Sequence, residues 1–357
     1  MRNMTKCHIA YLACAAALIG AGLGAAPSTA AGRMTHLVFP GESIQRAVDA
    51  AEPGDTVLLT PGRYRGSVEI DTSGVTLRGM GRSTVVEPGT KKAVNRCAEG
   101  GNGICVVGAK GRAVEGVTVA SLTVTGFAGS GVFAQETDGL TVRNVTAVKN
   151  GVWGIAQERS VRGVFRQNTA RDNGDAGLFL ANTIKTEEGA TDTAGTVVQR
   201  NRLEGNRIGI TVRRLRNLTV ADNHLTGNCA GVFVVGDENK PRAGAVTVAD
   251  NRILRNNKSC PKTARLDALQ GIGIVLTGAE DSLVTRNRVT GNVGNSPLSG
   301  GIVLWKSFVG TTSERNRITD NVLEGNAPAD LVNTDTAGRG NTFKGNTCRA
   351  SRPAGLC

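Results

Sequence analysis

Few side chains in this sequence ordinarily titrate near neutral pH, and their distribution decides which chemistry is open to it. Past residue 31 the only histidines are His36 and His224, far apart in the chain. No Ser-His-Asp relay can be assembled from them. Acid–base work therefore falls to carboxylates, with cationic side chains holding an anionic substrate. Asp237 and Glu238 directly follow an apolar run that begins at Gly231, and Glu136 and Glu158 each close an Ala-Gln-Glu phrase. Arg213, Lys306, Lys262 and Arg265 supply positive charge. Two facing carboxylates can cleave an acetal. A single base with cations, or a calcium ion, on a neighbouring carboxylate can instead remove the adjacent proton. Catalytic roles are expected for Asp237, Glu238, Arg213 and Lys306, and substrate contacts for Gln135, Glu136, Glu158, Phe233, Lys262, Arg265 and Trp305.

These residues have to be positioned by a scaffold, and the scaffold is repetitive. One phrase recurs: Asn, any residue, an aliphatic or small residue, two more residues, Asn. It stands at Asn168–Asn173, Asn201–Asn206, Asn223–Asn228, Asn251–Asn256, Asn287–Asn292, Asn321–Asn326 and Asn341–Asn346. A β-branched run such as Leu218-Thr-Val-Ala221 precedes it, and a Gly-led run such as Gly231-Val-Phe-Val or Gly273-Ile-Val-Leu follows. Each unit thus holds three short strands. The leading asparagines are 22 residues apart from Asn201 to Asn223 and 20 from Asn321 to Asn341. A four-residue strand cannot bury its own apolar face, so like units must stack at about 4.8 Å. The expected fold is all-β: a right-handed parallel β-helix of three strands per coil and about ten to twelve coils. Asn suits the left-handed backbone of a tight corner, and stacked amides can bond coil to coil, so the asparagines read as structural.

The alternation of the Gly-led strands points Phe133, Gln135, Phe179, Arg213, Phe233, Thr277 and Trp305 outward. A register slip of one residue would send them inward instead. Insertions at Asn182–Gly195, Gly236–Gly244, Asn257–Gln270 and Val293–Ser299 flank the same strands and are expected to wall a groove. Aromatic faces mixed with Arg213 and Lys306 suit stacked sugar rings bearing anionic groups.

Residues 1–31 read as a signal peptide: Arg2 and Lys6, an apolar run from Ile9 to Ala26, then Ser28-Thr29-Ala30-Ala31. Without Arg2 and Lys6 the formal charge falls from +12 to +10. That balance suits an acidic polysaccharide, a cell-envelope glycan or other anionic cell-wall polymer, or solubility alone. Nucleic acid is not expected, because the arginines are scattered and aromatics are scarce. Neither stable membrane insertion nor an oligomer is expected. Residues 32–357 form the helical domain, with a cap and first coils over 32–80 and a C-terminal end over 327–357. Ser43–Ala51 carries Ile44, Ala47, Val48 and Ala51 on one helical face and reads as the capping helix. Six cysteines remain: Cys97, Cys105, Cys229, Cys260, Cys348 and Cys357. In an exported chain they read as disulfides, and pairing sequence neighbours closes three local loops. No Cys-x-x-Cys pair or histidine cluster offers a zinc site.

The opening Ser43-Ile-Gln-Arg-Ala-Val-Asp-Ala-Ala51, Pro53-Gly54-Asp55-Thr-Val57 and Pro61-Gly-Arg-Tyr64 resembles the N-terminal segment of pectate-lyase-like right-handed β-helix proteins. The Gly-led and Asn units resemble the repeats of carbohydrate-active and NosD-type β-helix proteins. The resemblance runs from about Phe39 to Cys348. It implies a substrate face along the Gly-led strands and a lyase or epimerase acting on acidic polysaccharide, ahead of a hydrolase. It also leaves open a non-catalytic glycan-binding solenoid and a NosD-like accessory role. The Asp-Pro-His-Glu signature of mannuronan epimerases has no counterpart here, nor have the arginine motif and paired calcium aspartates of pectate lyases. Scarce Met and His speak against copper.

Overall fold

The computed structural model describes residues 32–90, 95–264 and 266–357. The chain winds through three long parallel sheets. The first has 12 strands, from Thr35–Val38 to Thr342–Lys344; the second has 10, from Gly62–Arg65 to Val322–Glu324. The third has 11, from Val68–Ile70 to Ser351–Arg352, and contains all the Gly-led strands. One coil reads Leu215–Ala221 in the first sheet, His224–Thr226 in the second and Ala230–Val235 in the third. Inward side chains such as Val220, Leu225, Val232 and Val234 are fully buried in one continuous core. The architecture is the expected parallel β-helix.

Two asparagine ladders staple the coils. In the first, the Asn201 Nδ2 donates to Asn223 Oδ1 at 2.9 Å, and Asn223 to Asn251 at 3.0 Å. In the second, Asn206 donates to Asn228 at 3.2 Å and Asn228 to Asn256 at 2.8 Å. Each Oδ1 also accepts a backbone N–H, as from Asn201 N at 2.9 Å. The second Nδ2 hydrogen reaches a carbonyl of the preceding coil, as from Asn201 to Phe165 O at 2.9 Å. The structure corrects one expectation. The left-handed residue is the one before each ladder asparagine: Arg200, Gly205, Asp222 and Gly227 have φ of 56°, 67°, 55° and 65°. The preceding residue makes the corner, with its side chain outside, and this turns the buried asparagine amide along the stack.

The last phrase is also displaced. Asn341–Asn346 stacks on Asn316–Asn321, with the Asn316 Nδ2 donating to Asn341 at 3.1 Å and Asn321 to Asn346 at 2.9 Å. It therefore closes the first sheet and not the second, so the 20-residue interval is not a coil. Near the start, the helix Ile44–Asp49 is capped by the Ser43 Oγ, which accepts from Arg46 N at 3.2 Å. Ile44 and Val48 are buried over the end of the core. The Tyr64 hydroxyl is buried on the Val38 and Thr60 carbonyls, both at 2.9 Å. Disulfides join Cys97 to Cys105, Cys229 to Cys260 and Cys348 to Cys357, with Cα–Cα distances of 5.6, 6.0 and 5.5 Å. The signal-peptide reading and Arg265 lie outside the described residues. Among those residues no helix is long and apolar enough to cross a membrane.

Candidate functional site

The third sheet is covered on its outer face. Phe179, Thr211, Phe233, Val275 and Val303 share one register row, and Ala181, Arg213, Val235, Thr277 and Trp305 share another. Both rows face away from the prism core, so the outward register is as expected. Phe133, Phe179, Phe233, Val275 and Val303 form a second apolar cluster with Leu269, Leu298 and Cys260 from the inserted segments. Phe233 and Thr277 are consequently buried, at 1% and 0% exposure, and not presented to solvent.

Between the insertions lies a cleft of about 1030 Å³. One wall is the 182–190 segment, with Ile184, Lys185 and Glu187; the other is the 257–270 segment, from Lys258 to Leu266. Phe179, Phe233, Val235 and Arg213 form the floor, and Ser307, Phe308 and Val309 the far rim. The walls are tied down from within the fold. The Glu158 Oε1 accepts from Ile184 N at 2.8 Å, and Arg213 Nη1 donates to Thr183 O and Ile184 O at 3.3 and 3.4 Å. Arg214 bonds Thr186 O at 3.1 Å and Glu187 at 2.9 Å, and pairs with Asp237. The opposite wall is anchored by the Cys229–Cys260 disulfide. Arg207 also anchors it, donating to Pro261 O at 2.7 Å and Asp267 O at 3.3 Å.

At the end of the cleft nearer the chain's start, the Trp153 and Phe179 rings stack at 4.3 Å and 12°. The Trp153 Nε1 donates to Asp175 Oδ2 at 3.0 Å. Burial pushes the Asp175 carboxyl above its ordinary range, with the Trp153 hydrogen bond and the Arg207 charge opposing it. Burial in turn lowers Arg207, with Asp175 opposing. Asp175, Arg207 and Cys229 stand in file along one corner: Arg207 N donates to Asp175 O at 2.9 Å and Cys229 N to Arg207 O at 3.1 Å. Each is two residues before the leading glycine of its coil, Gly177, Gly209 and Gly231. That glycine has no room for a side chain. A Cβ on Gly209 would stand 2.5 Å from Leu225 and 2.7 Å from the Gly231 carbonyl.

Of the residues expected from sequence, the cleft gathers Asp237, Arg213 and Phe233. Glu238, Lys306 and Lys262 are exposed outside its lining, Lys262 paired with Asp267 at 3.2 Å. Glu158 supports a wall without lining the cleft, and Glu136 lies 3.9 Å from Arg159. Gln135 and Trp305 are half-buried beyond the lining, and the Trp305 carbonyl accepts from Ser313 Oγ at 2.8 Å. The sequence reading missed Trp153, Asp175, Arg207, Arg214, Lys185 and Lys258. The file of residues two before each glycine was the signal available for Asp175 and Arg207. Among the described residues no three His, Cys, Asp or Glu side chains converge as a metal site.

Several solved structures share this fold. The A-module of a mannuronan C-5 epimerase from Azotobacter vinelandii is 21% identical, with 85% of this chain and 90% of that one covered at a TM-score of 0.58. An alginate lyase from a Paenibacillus species is 15% identical, with 83% and 96% covered at 0.56. DFA-IIIase from Arthrobacter chlorophenolicus is 14% identical, with 85% and 78% covered at 0.58. No curated protein matches by sequence. Residues 181–353 match the family described as periplasmic copper-binding protein (NosD). Among the described residues the nitrogen and sulfur donors do not converge on a copper site, Met34 and Met80 being exposed near the start of the chain. All six cysteines of the described residues are in disulfides, His36 bonds Asp55 at 2.9 Å, and His224 lies between Arg202 and Arg252 on the second sheet. Residues 65–253, just over half of the chain, match the family described as right handed beta helix region, and the chain belongs to that family.

Proposed function

We propose that the cleft binds an acidic polysaccharide and that the chain acts on it by removing the proton beside a sugar carboxylate, as a lyase or an epimerase. The observation carrying this reading is one cleft that combines the Trp153–Phe179 stack with Arg207, Arg213, Arg214, Lys185 and Lys258. Aromatic faces take sugar rings, and guanidinium groups take carboxylates. Cations on the sugar carboxylate make the adjacent C5–H more acidic. Asp175, whose burial strengthens it as a base, accepts that proton. In elimination, the C4–O bond then breaks, a C4=C5 double bond forms, and the departing oxygen takes a proton from water at the open mouth. In epimerisation the C4–O bond stays intact, the C5 carbanion takes a proton from water on the opposite face, and Asp175 later gives the abstracted proton to solvent. Three disulfides suit an oxidising compartment, which supports export.

A second reading is a binding protein without turnover. It is favoured by the engagement of both cleft aspartates, Asp175 with Trp153 and Asp237 with Arg214. One assay separates the readings: incubation with alginate, polygalacturonate and other uronic-acid polymers. It would follow the ultraviolet absorbance of unsaturated products, and C5 exchange by NMR in deuterated water. Product or exchange that disappears in Asp175→Asn supports catalysis. Binding with neither signal supports the second reading, and absence of binding to every polymer overturns both.

A further inference from the structure

The cleft's charge does not explain its far rim. Phe308 and Val309 are 51% and 59% exposed, yet both line the cleft, on a turn closed by Ser307 N to Thr311 O at 2.7 Å and Thr311 N to Ser307 Oγ at 2.9 Å. Val235 lies in the same cleft. The Phe308 ring can stack on a sugar, but the aliphatic side chains of Val235 and Val309 add little to such stacking, and sugar hydroxyls need polar partners. The two valines suit a small apolar substituent. The strand carrying Arg213 and the strand leading into the rim turn are three strand spacings apart in the third sheet, about 14 Å. A substituent at the rim thus belongs to a different sugar unit from the carboxylate that meets Arg213.

We propose that the cleft selects an acidic polysaccharide carrying O-acyl esters, with the acyl group of one unit against Phe308 and Val309 while the carboxylate of another meets the arginines. This deepens the functional reading above and rests on it. The ester is recognised and not cleaved, so no bond changes. Charge complementarity sets the partner, and the apolar rim sets its decoration.

The test compares O-acetylated alginate and O-acetylated polygalacturonate with the same samples after mild alkaline deacetylation. Binding is measured for the wild type and for Phe308→Ser/Val309→Ser, a pair exposed enough that folding should survive. Circular dichroism and Tm verify that it has. The wild type is expected to bind at least one acetylated polymer about fourfold or more tightly than its deacetylated form, the factor that burying one methyl-sized group supplies. The double variant is expected to bring that ratio to about one. Equal wild-type affinity for both forms, or a preference that survives in the double variant, overturns the inference and leaves the functional reading standing. Failure of the wild type to bind any of the four samples overturns both.

Discussion

The Trp153 indole N–H donates to the Asp175 carboxylate at 3.0 Å, one coil further along, while its ring lies flat on Phe179. The Asp175 carboxylate is therefore oriented by an aromatic residue that lines the same cleft. Burial raises the Asp175 pKa above its unfolded value of 3.8, so ionising it works against the fold. Its contribution to stability is fully present below pH 3.8 and is lost as the pH rises through the folded value. The Asp175→Asn variant lacks that loss and can still accept the Trp153 hydrogen bond. Its Tm relative to wild type is expected to improve on going from pH 3.5 to pH 8. A difference that is flat with pH would show that the carboxyl is not held in this way.

Asp55 behaves oppositely. The His36 hydrogen bond, followed by the backbone N–H groups of Met34 and Glu52, lowers its pKa from 3.8 to about 2. The stability it gives the N-terminal cap is present above about pH 4 and is lost as the pH falls toward 2. An acid titration followed by hydrogen exchange over Thr35–Val38 should show loosening in that window. Asp55→Asn should show exchange already raised at pH 6 and little further change.

The corners and the ladder separate by substitution. Gly227 has φ +65°, and an added Cβ would meet only the Gly205 backbone nitrogen, at an ordinary contact distance of 3.9 Å, so Gly227→Ala pays only the left-handed backbone, about 1 kcal/mol. Asn228→Ala strands the Asn206 amide and the Leu203 carbonyl inside the prism, and should cost about 3 kcal/mol. Chemical denaturation of both variants measures the contrast. Equal costs would mean that the ladder is not what holds the coils.

The Cys229–Cys260 disulfide ties a cleft wall to the third sheet across a sequence separation of 31. A Cys229→Ala/Cys260→Ala variant should keep the circular dichroism of the helix. It should bind acidic polymer about tenfold more weakly, because the 257–270 wall must then be ordered on binding. Unchanged affinity would show that Arg207 alone holds the wall, through Pro261 and Asp267.

The prism was legible in the sequence because its pattern is local. Alternation in Gly209-Ile-Thr-Val-Arg213 fixes Ile210 and Val212 inside and Thr211 and Arg213 outside, and the structure keeps that register. The cleft was legible only in part. Arg207 reaches carbonyls 54 and 60 residues away, a relation that leaves no periodic trace, whereas the bond from Trp153 spans 22 residues, one coil, and lay within reach of the repeat. Glu238 and Lys306 showed the limit from the other side. Each directly neighbours a residue that lines the cleft, Asp237 or Ser307, yet one step of backbone takes it out to solvent. The disulfides were readable because each joins neighbours in the cysteine order.

Titration of alginate and polygalacturonate against three proteins tests the central claim most directly: wild type, Trp153→Ala/Arg213→Ala in the cleft, and Arg252→Ala/Arg288→Ala on the exposed second sheet. The cleft account predicts that affinity falls about tenfold or more in the first variant and stays within about twofold in the second. It also predicts binding that weakens with added salt. Equal losses in both variants, or a loss confined to the second-sheet variant, would contradict it, because binding would then follow net charge and not the cleft.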